Sequence, residues 1–397
     1  MAGRLNAGGL NTGAGGALWP ARPSAFMDPA PDPTDGPAPS APTGGPAGDP
    51  AGDPISGPTG GPDPSDLADR DGASDPDGGP ALAGATASGP AAGGHRSGYV
   101  ALVGAPNVGK STLLNRWLGT KLSIVSPRPS TTRNRVLGIL TQEPADGDPG
   151  HQLILLDTPG VVRPKYRLHQ HMMRDVDRSL GDADVTVLMA DATERRLSHD
   201  AQGAVERVEH ARSPLLLALN KVDRLGLVDE ALPLVDLYTE ALGRAPDAVV
   251  PISAQTGQGC DALLGLVLDR VPPGPPYYPA DQLSEHPERF FISEIVREAV
   301  FNQFRDEVPY ATQVTVVTFQ ERPGRKDYIA CDIVVERDSQ KAILIGKGGS
   351  ALKRLGQAAR HEIEAFLGRG VFLQLFVKTR ADWRDKEGHL REYGFGR

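Results

Sequence analysis

The sequence predicts an α/β chain: a mostly parallel sheet covered by helices on both faces, then a smaller α+β unit, with a disordered tail in front. Three observations carry this. Between residues 98 and 271, short aliphatic runs alternate with helix-like runs, the pattern of strands buried on both faces. The first run, Tyr99 to Val103, passes through Gly104-Ala105-Pro106-Asn107-Val108-Gly109-Lys110-Ser111 into Thr112–Leu118, so GxxxxGKS stands between a strand and a helix. Composition also breaks twice, at the end of a Gly/Pro/Ala/Asp/Ser-rich stretch (1–97) and at the proline-dense linker Pro272–Pro279.

At 397 residues there is room for two or three domains. The first 97 residues hold 11 Asp and 4 Arg, a net of −7, with almost no aliphatic periodicity. They cannot bury enough apolar surface to offset their ordering entropy, and are read as disordered. They lack the basic start and apolar core of a secretory signal, and are too acidic and Arg-poor for an organelle transit peptide. Met27 is a second candidate start. The formal charge of −8 therefore leaves about −1 for residues 98–397, while 341–397 holds 12 Lys and Arg against 6 Asp and Glu, a weak pointer to nucleic acid. Cys260 and Cys331 lie far apart without metal-ligand spacing, which fits a reducing cytoplasm. No apolar run approaches the ~20 residues that span a bilayer.

The glycine loop points backbone N–H groups into one small space at a helix N-terminus, a phosphate cradle. Lys110 is placed to reach the outer phosphates and the Ser111 hydroxyl to ligate Mg2+, with Thr112 opening the helix. A polar, basic, Pro-broken stretch (121–135) follows, then strands at 136–140 and 152–156 joined as a hairpin. The second strand ends in Asp157-Thr158-Pro159-Gly160: Asp157 is the expected metal-side carboxylate, and the Gly160 N–H is expected to meet the terminal phosphate. Strands at 184–191, 214–219 and 249–254 alternate with helices at 200–211, 229–242 and 260–271. The 214–219 strand ends in Asn220-Lys221-Val222-Asp223. A carboxylate at Asp223 accepts both the ring N–H and the exocyclic amine of guanine; adenine has no such donor pair, and a buried Asp223 would be left unpaired. Asn220 is expected on the other base edge, Lys221 over the base, and Ser253-Ala254 to give a backbone N–H to the guanine oxygen.

The second unit reads as helix (289–305), strand (313–319), strand (328–336), helix and strand (371–377). Ile345-Gly346-Lys347-Gly348-Gly349 precedes a helix whose apolar face is Leu352, Leu355, Ala359, Ile363 and Phe366. This is the glycine loop of a KH domain, of type II order, which clamps single-stranded phosphates on bare backbone. Lys347, Lys353 and Arg354 add charge, and no Lys-Ser/Thr follows to make a second nucleotide loop.

The ordered set GAPNVGKS, STTRN, DTPG, NKVD and ISA resembles a translation-factor-class GTPase, and SPRPSTTRNR resembles the first switch of Era-type GTPases. RFFISEIVREAVFNQFRDEVPYA, VERDSQKAILIGKGG and FVKTRADWRDKEGHLREYGF extend the resemblance to the Era family across residues 98–397. It implies GTP hydrolysis with GTP/GDP and Mg2+, Thr131 or Thr132 (here Thr132) as the second protein ligand to Mg2+, and catalysis resting on Lys110, Thr132, Gly160 and Asn107. Val161 stands where Ras-like enzymes carry a water-orienting Gln, so intrinsic hydrolysis should be slow. Asn107 matches the phosphate-loop Asn of GTPases that use K+. The implied partner is the 3′ end of 16S ribosomal RNA, bound through the KH domain, and the implied role is assembly of the small (30S) subunit. A cytoplasmic monomer is expected; peripheral membrane association is reported for the family, but no amphipathic basic helix here demands it. The alternatives are a GTPase acting on large-subunit RNA or tRNA, or a GTP-regulated RNA-binding module with little turnover.

Overall fold

The computed structural model describes residues 94–396 except Asp146, so the reading of residues 1–93 as a disordered tail lies outside the described residues. The chain runs β1 (Arg96–Gly104), α1 (Lys110–Leu118), β2 (Val136–Gln142), β3 (His151–Asp157), α2 (Arg167–Asp182), β4 (Val185–Asp191), α3 (His199–Val208), β5 (Leu215–Asn220), α4 (Leu232–Leu242), β6 (Ala248–Pro251) and α5 (Cys260–Leu268). The sheet order is β2-β3-β1-β4-β5-β6. Only β2 runs antiparallel, as the hairpin partner of β3; the other pairings are parallel. The strands are aliphatic throughout because helices cover both faces. One apolar cluster joins Val103, Leu188 and Leu217 to α2, α3 and α4, and the other joins Leu102, Val187 and Leu216 to α1 and α5. In parallel strands the ends converge on one edge, which puts the loops after β1, β3 and β5 side by side.

The second unit follows as α6 (Glu288–Gln303), α7 (Val308–Ala311), β7 (Gln313–Gln320), β8 (Asp327–Val335), α8 (Asp338–Ile345), α9 (Ser350–Leu367), β9 (Val371–Thr379) and α10 (Glu387–Glu392). Its sheet order is β7-β8-β9, with β8 and β9 parallel. α6 and α9 cover one face through Ile292, Val296, Leu355, Ala359 and Ile363.

Three features differ from the sequence reading. The region 167–182, left without a helix, is α2. It buries Leu168, Met172, Met173 and Val176 in the same cluster as Trp383, Leu390 and Phe395 of the C-terminal segment. The Ile343-Leu344-Ile345 run is helical, in α8, and only Leu344 is buried. The proline linker, expected as a semi-rigid spacer, is tied to the first unit. Ser97 N–H donates to Pro272 O at 3.2 Å and Gly274 N–H to His95 O at 2.9 Å, while the Gln152 amide bonds the backbones of Tyr277 and Tyr278. Beyond it, Ile139 N–H donates to Leu283 O at 2.8 Å along the exposed edge of β2. Backbone groups that a solvated spacer would leave to water are thus bonded.

Candidate nucleotide site and nucleic-acid loop

A cavity of about 460 Å³ opens where the strand ends converge. Pro106, Asn107, Gly109, Lys110, Ser111 and Thr112 form one wall, Ile124–Pro127 and Ser130–Thr132 a second, and Asn220, Lys221, Asp223, Arg224, Ala254 and Gln255 a third, with Gly160 between. The site residues Gly104, Ala105, Val108, Asp157, Thr158, Pro159, Val161, Val222 and Ser253 lie behind these walls, all buried.

Glycine is required where the backbone is forced. Gly109 has φ 103°, and a Cβ there would sit 2.1 Å from the Asn220 side chain. At Gly160 a Cβ would meet the Pro106 backbone at 2.8 Å, so the two loops approach as closely as bare backbone allows. The Lys110 ammonium lies in the loop, donating to Gly104 O at 3.1 Å and Ala105 O at 3.0 Å. Burial pulls its pKa down to about 8 against the opposing pull of Asp157.

At the cavity floor the Ser111 hydroxyl donates to Asp157 Oδ2 at 2.7 Å and lies 3.1 Å from Thr132 Oγ1. Asp157 is fully buried, its Oδ1 has no hydrogen-bond partner, and burial raises its pKa. Two hydroxyls, Ser111 and Thr132, grouped at an incompletely satisfied carboxylate give three hard oxygen ligand groups, a set that fits Mg2+. Thr132 joins this group, whereas Thr131 is buried beside the cavity with no bond to Ser111 or Asp157. Val161 packs in the apolar cluster with α2 and α3, its N–H donating to Gly104 O at 3.1 Å, so its side chain lies in the core. Thr158 Oγ1 donates to Leu102 O at 2.7 Å and pins the start of that loop.

The base end refines three expectations. Asn220 lines the cavity, and its side chain is also engaged within the protein: its amide nitrogen donates to Val108 O at 2.6 Å and its oxygen accepts from Ala254 N–H at 2.8 Å. Asn220 therefore clamps the phosphate loop to the 253–255 loop. The Ala254 N–H expected on the guanine oxygen is that same donor, and the Ser253 N–H donates to Gln258 O at 2.8 Å. Asp223 is exposed at the cavity lip rather than buried, so the penalty for a mismatched base arises only once a base covers it. Lys221, at φ 71°, holds Asp191 at 2.5 Å and lines the cavity. Arg116 was not anticipated: it donates to Ala254 O at 2.7 Å and Gln255 O at 2.6 Å, fixing the loop from the opposite side. Asn107, at φ 63°, donates to Pro127 O at 2.9 Å and ties the phosphate loop to the 126–135 segment.

In the second unit, Gly346 to Gly349 join α8 to α9. A Cβ at Gly346 would strike Ala351 at 2.6 Å, an internal packing reason for glycine. Gly348 (φ 59°) and Gly349 (φ 79°) have open space around the Cβ direction, so nothing within the protein fills the room their missing side chains leave. Lys347, Lys353 and Arg354 are exposed around the loop, and Ile345 is half-buried beneath it.

The family model described as "50S ribosome-binding GTPase" matches residues 99–221, and that of the KH domain matches residues 307–384. The chain is 46% identical over 310 residues to the chloroplastic GTPase ERA-like protein of Arabidopsis thaliana, covering 76% of this chain and 69% of that one. It is 39% identical over 301 residues to GTPase Era of Staphylococcus haemolyticus, covering 76% and 97%. Two solved structures align with a TM-score of 0.70 at 38% identity, covering 76% of this chain and 99% of theirs. They are a single-substitution variant of Aquifex aeolicus Era bound to GDP·AlF4− and Era in complex with MgGDPNP and nucleotides 1506–1542 of 16S ribosomal RNA.

Proposed function

The chain belongs to the Era family of GTPases, and from that premise we propose that it is a GTP-driven switch that grips the 3′ end of small-subunit ribosomal RNA and acts in assembly of the 30S subunit. As a GTPase it works with GTP, GDP and Mg2+. Lys110 neutralises charge on the outer phosphates, Ser111, Thr132 and Asp157 hold the cation, and the Gly160 backbone meets the terminal phosphate. Bound Mg2+ supplies neutralisation of charge developing on the phosphates. With Val161 in the core, the attacking water is oriented by backbone near Thr132 and Gly160, and Asn107 offers its amide oxygen to K+. Asp223 selects guanine when the base covers it.

The observation that carries the RNA half is the open space over Gly348 and Gly349, ringed by Lys347, Lys353 and Arg354: bare backbone admits a sugar-phosphate chain, and charge holds it. Crosslinking RNA to the full chain in cells and sequencing it tests the target. Reads concentrated at the 3′ end of small-subunit RNA are expected; reads on large-subunit RNA or tRNA overturn that assignment while leaving the GTPase intact. The chain is proposed to act as a cytoplasmic monomer. Among the described residues no helix is long and apolar enough to cross a membrane.

A further inference from the structure

Two neighbours in the 126–135 segment reach in opposite directions. Thr132 bonds Ser111 at the cation site. The Arg133 side chain enters the second unit, where it is 3% exposed. Its guanidinium donates to Thr312 O at 2.7 Å, Tyr310 O at 2.9 Å and Pro309 O at 3.2 Å, and to Gln313 Oε1 at 3.3 Å. The Trp383 ring lies 5.7 Å from it. These partners are backbone carbonyls and one amide oxygen, not a carboxylate. A buried cation held this way is an expensive means of gluing two surfaces, since apolar packing does that without desolvating a charge. It is, however, a directional one: several acceptors fix the guanidinium plane and so the chain that carries it. Flanking bonds hold this segment and the residues before it to α6 and its C-cap residue, with Val125 N–H donating to Glu298 Oε1 at 3.2 Å, Lys121 pairing with Glu298 at 2.8 Å, and Arg128 donating to Phe304 O.

We infer that Arg133 is a positioning residue for GTP hydrolysis: anchored in residues 309–313 of the second unit, it holds Thr132 at the cation site. The nucleic-acid-binding unit thereby completes the hydrolytic site, and by linkage GTP with its cation tightens residues 309–313 around Arg133. The inference rests on the reading of Thr132 as a cation ligand.

The test uses the full chain with Arg133→Met, Arg133→Lys, Thr132→Ala and the Thr132→Ala/Arg133→Met double variant. Two readouts are taken: the Mg2+ concentration that half-saturates GTP turnover, and hydrogen exchange of residues 309–313 with GDPNP against GDP. Arg133→Met is expected to leave GDP affinity within about threefold, to raise the half-saturating Mg2+ about tenfold, and to abolish the GDPNP-dependent protection at 309–313. Arg133→Lys, with one point donor instead of a fork, should fall between; it carries the test if the Met variant does not fold. In the Thr132→Ala background, adding Arg133→Met should change either readout by less than about twofold. An equal loss from Arg133→Met in both backgrounds, or unchanged Mg2+ dependence in the folded Arg133 variants while Thr132→Ala shifts it, overturns the inference alone. Unchanged Mg2+ dependence in Thr132→Ala overturns it together with the ligand assignment.

Discussion

The side chain of Asn220 donates to Val108 O at 2.6 Å, so the residue that opens the base-recognition motif acts on the phosphate loop. Asn220→Ala strands the Val108 carbonyl and the Ala254 N–H in buried surroundings, at about 1–3 kcal/mol each. GTP, GDP and xanthine nucleotides should then lose affinity together, by about tenfold to a hundredfold. Asp223→Asn should instead exchange partners, weakening guanine and favouring xanthine, whose edge offers an acceptor where guanine offers an amine. Calorimetric titration of both variants with both nucleotides separates the roles; a base-dependent loss in Asn220→Ala would contradict the clamp.

Gly160 and Pro106 touch backbone to backbone. A Cβ at 2.8 Å from Pro106 must push the loops apart, and the group displaced is the N–H proposed to meet the terminal phosphate. Gly160→Ala should keep GDP affinity within about threefold and cut GTP turnover by about tenfold to a hundredfold. Equal losses for binding and turnover would show that the approach matters only for folding.

Lys110 gives a pH dependence. Burial lowers its pKa to about 8 from the ordinary 10.5, so between these values the free folded protein binds fewer protons than the unfolded chain, and its stability rises with pH. Nucleotide binding favours the charged amine, so binding above pH 8 takes up a proton and affinity falls by up to about tenfold per pH unit. Titrations in two buffers of different ionisation enthalpy read that uptake directly. Lys110→Arg, charged throughout, should show none.

Asn107 holds Pro127 O through its amide nitrogen, and its amide oxygen is the group proposed to ligate K+. Hydrolysis should be about tenfold faster in K+ than in Na+ at equal ionic strength, with Asn107→Ala removing the difference. Equal rates in the two salts would sink the K+ reading.

Much of this site was legible because its motifs sit at the ends of aliphatic strands, where a parallel sheet brings them together whatever the intervening loops do. What each residue touches was less legible. Nothing local to Asn220 names Val108, 112 residues away, as its partner. The Gly160 N–H reads as a phosphate donor, but nothing local to Gly160 names Pro106 as the residue lying against it. α2 escaped notice because its apolar stripe, Leu168, Met172, Met173 and Val176, is set among Arg, His and Asp and covered in part by the C-terminal segment. α8 escaped because Ile343-Leu344-Ile345 has strand-like composition, yet Ile343 is 49% exposed. Arg133 read as one charge in a basic loop; its burial depends on carbonyls presented by the far unit.

In the proposed switch the bound nucleotide sets the grip on RNA. Its most direct test is the affinity of the full chain for an RNA matching the 3′ end of small-subunit ribosomal RNA, measured with Mg·GDPNP and with Mg·GDP at one salt concentration. Binding about tenfold tighter with GDPNP is expected, and about a hundredfold loss in Gly348→Asp, whose carboxylate would occupy the phosphate's place, with GTP turnover retained. Equal affinity in the two nucleotide states, or wild-type binding by Gly348→Asp, would contradict it.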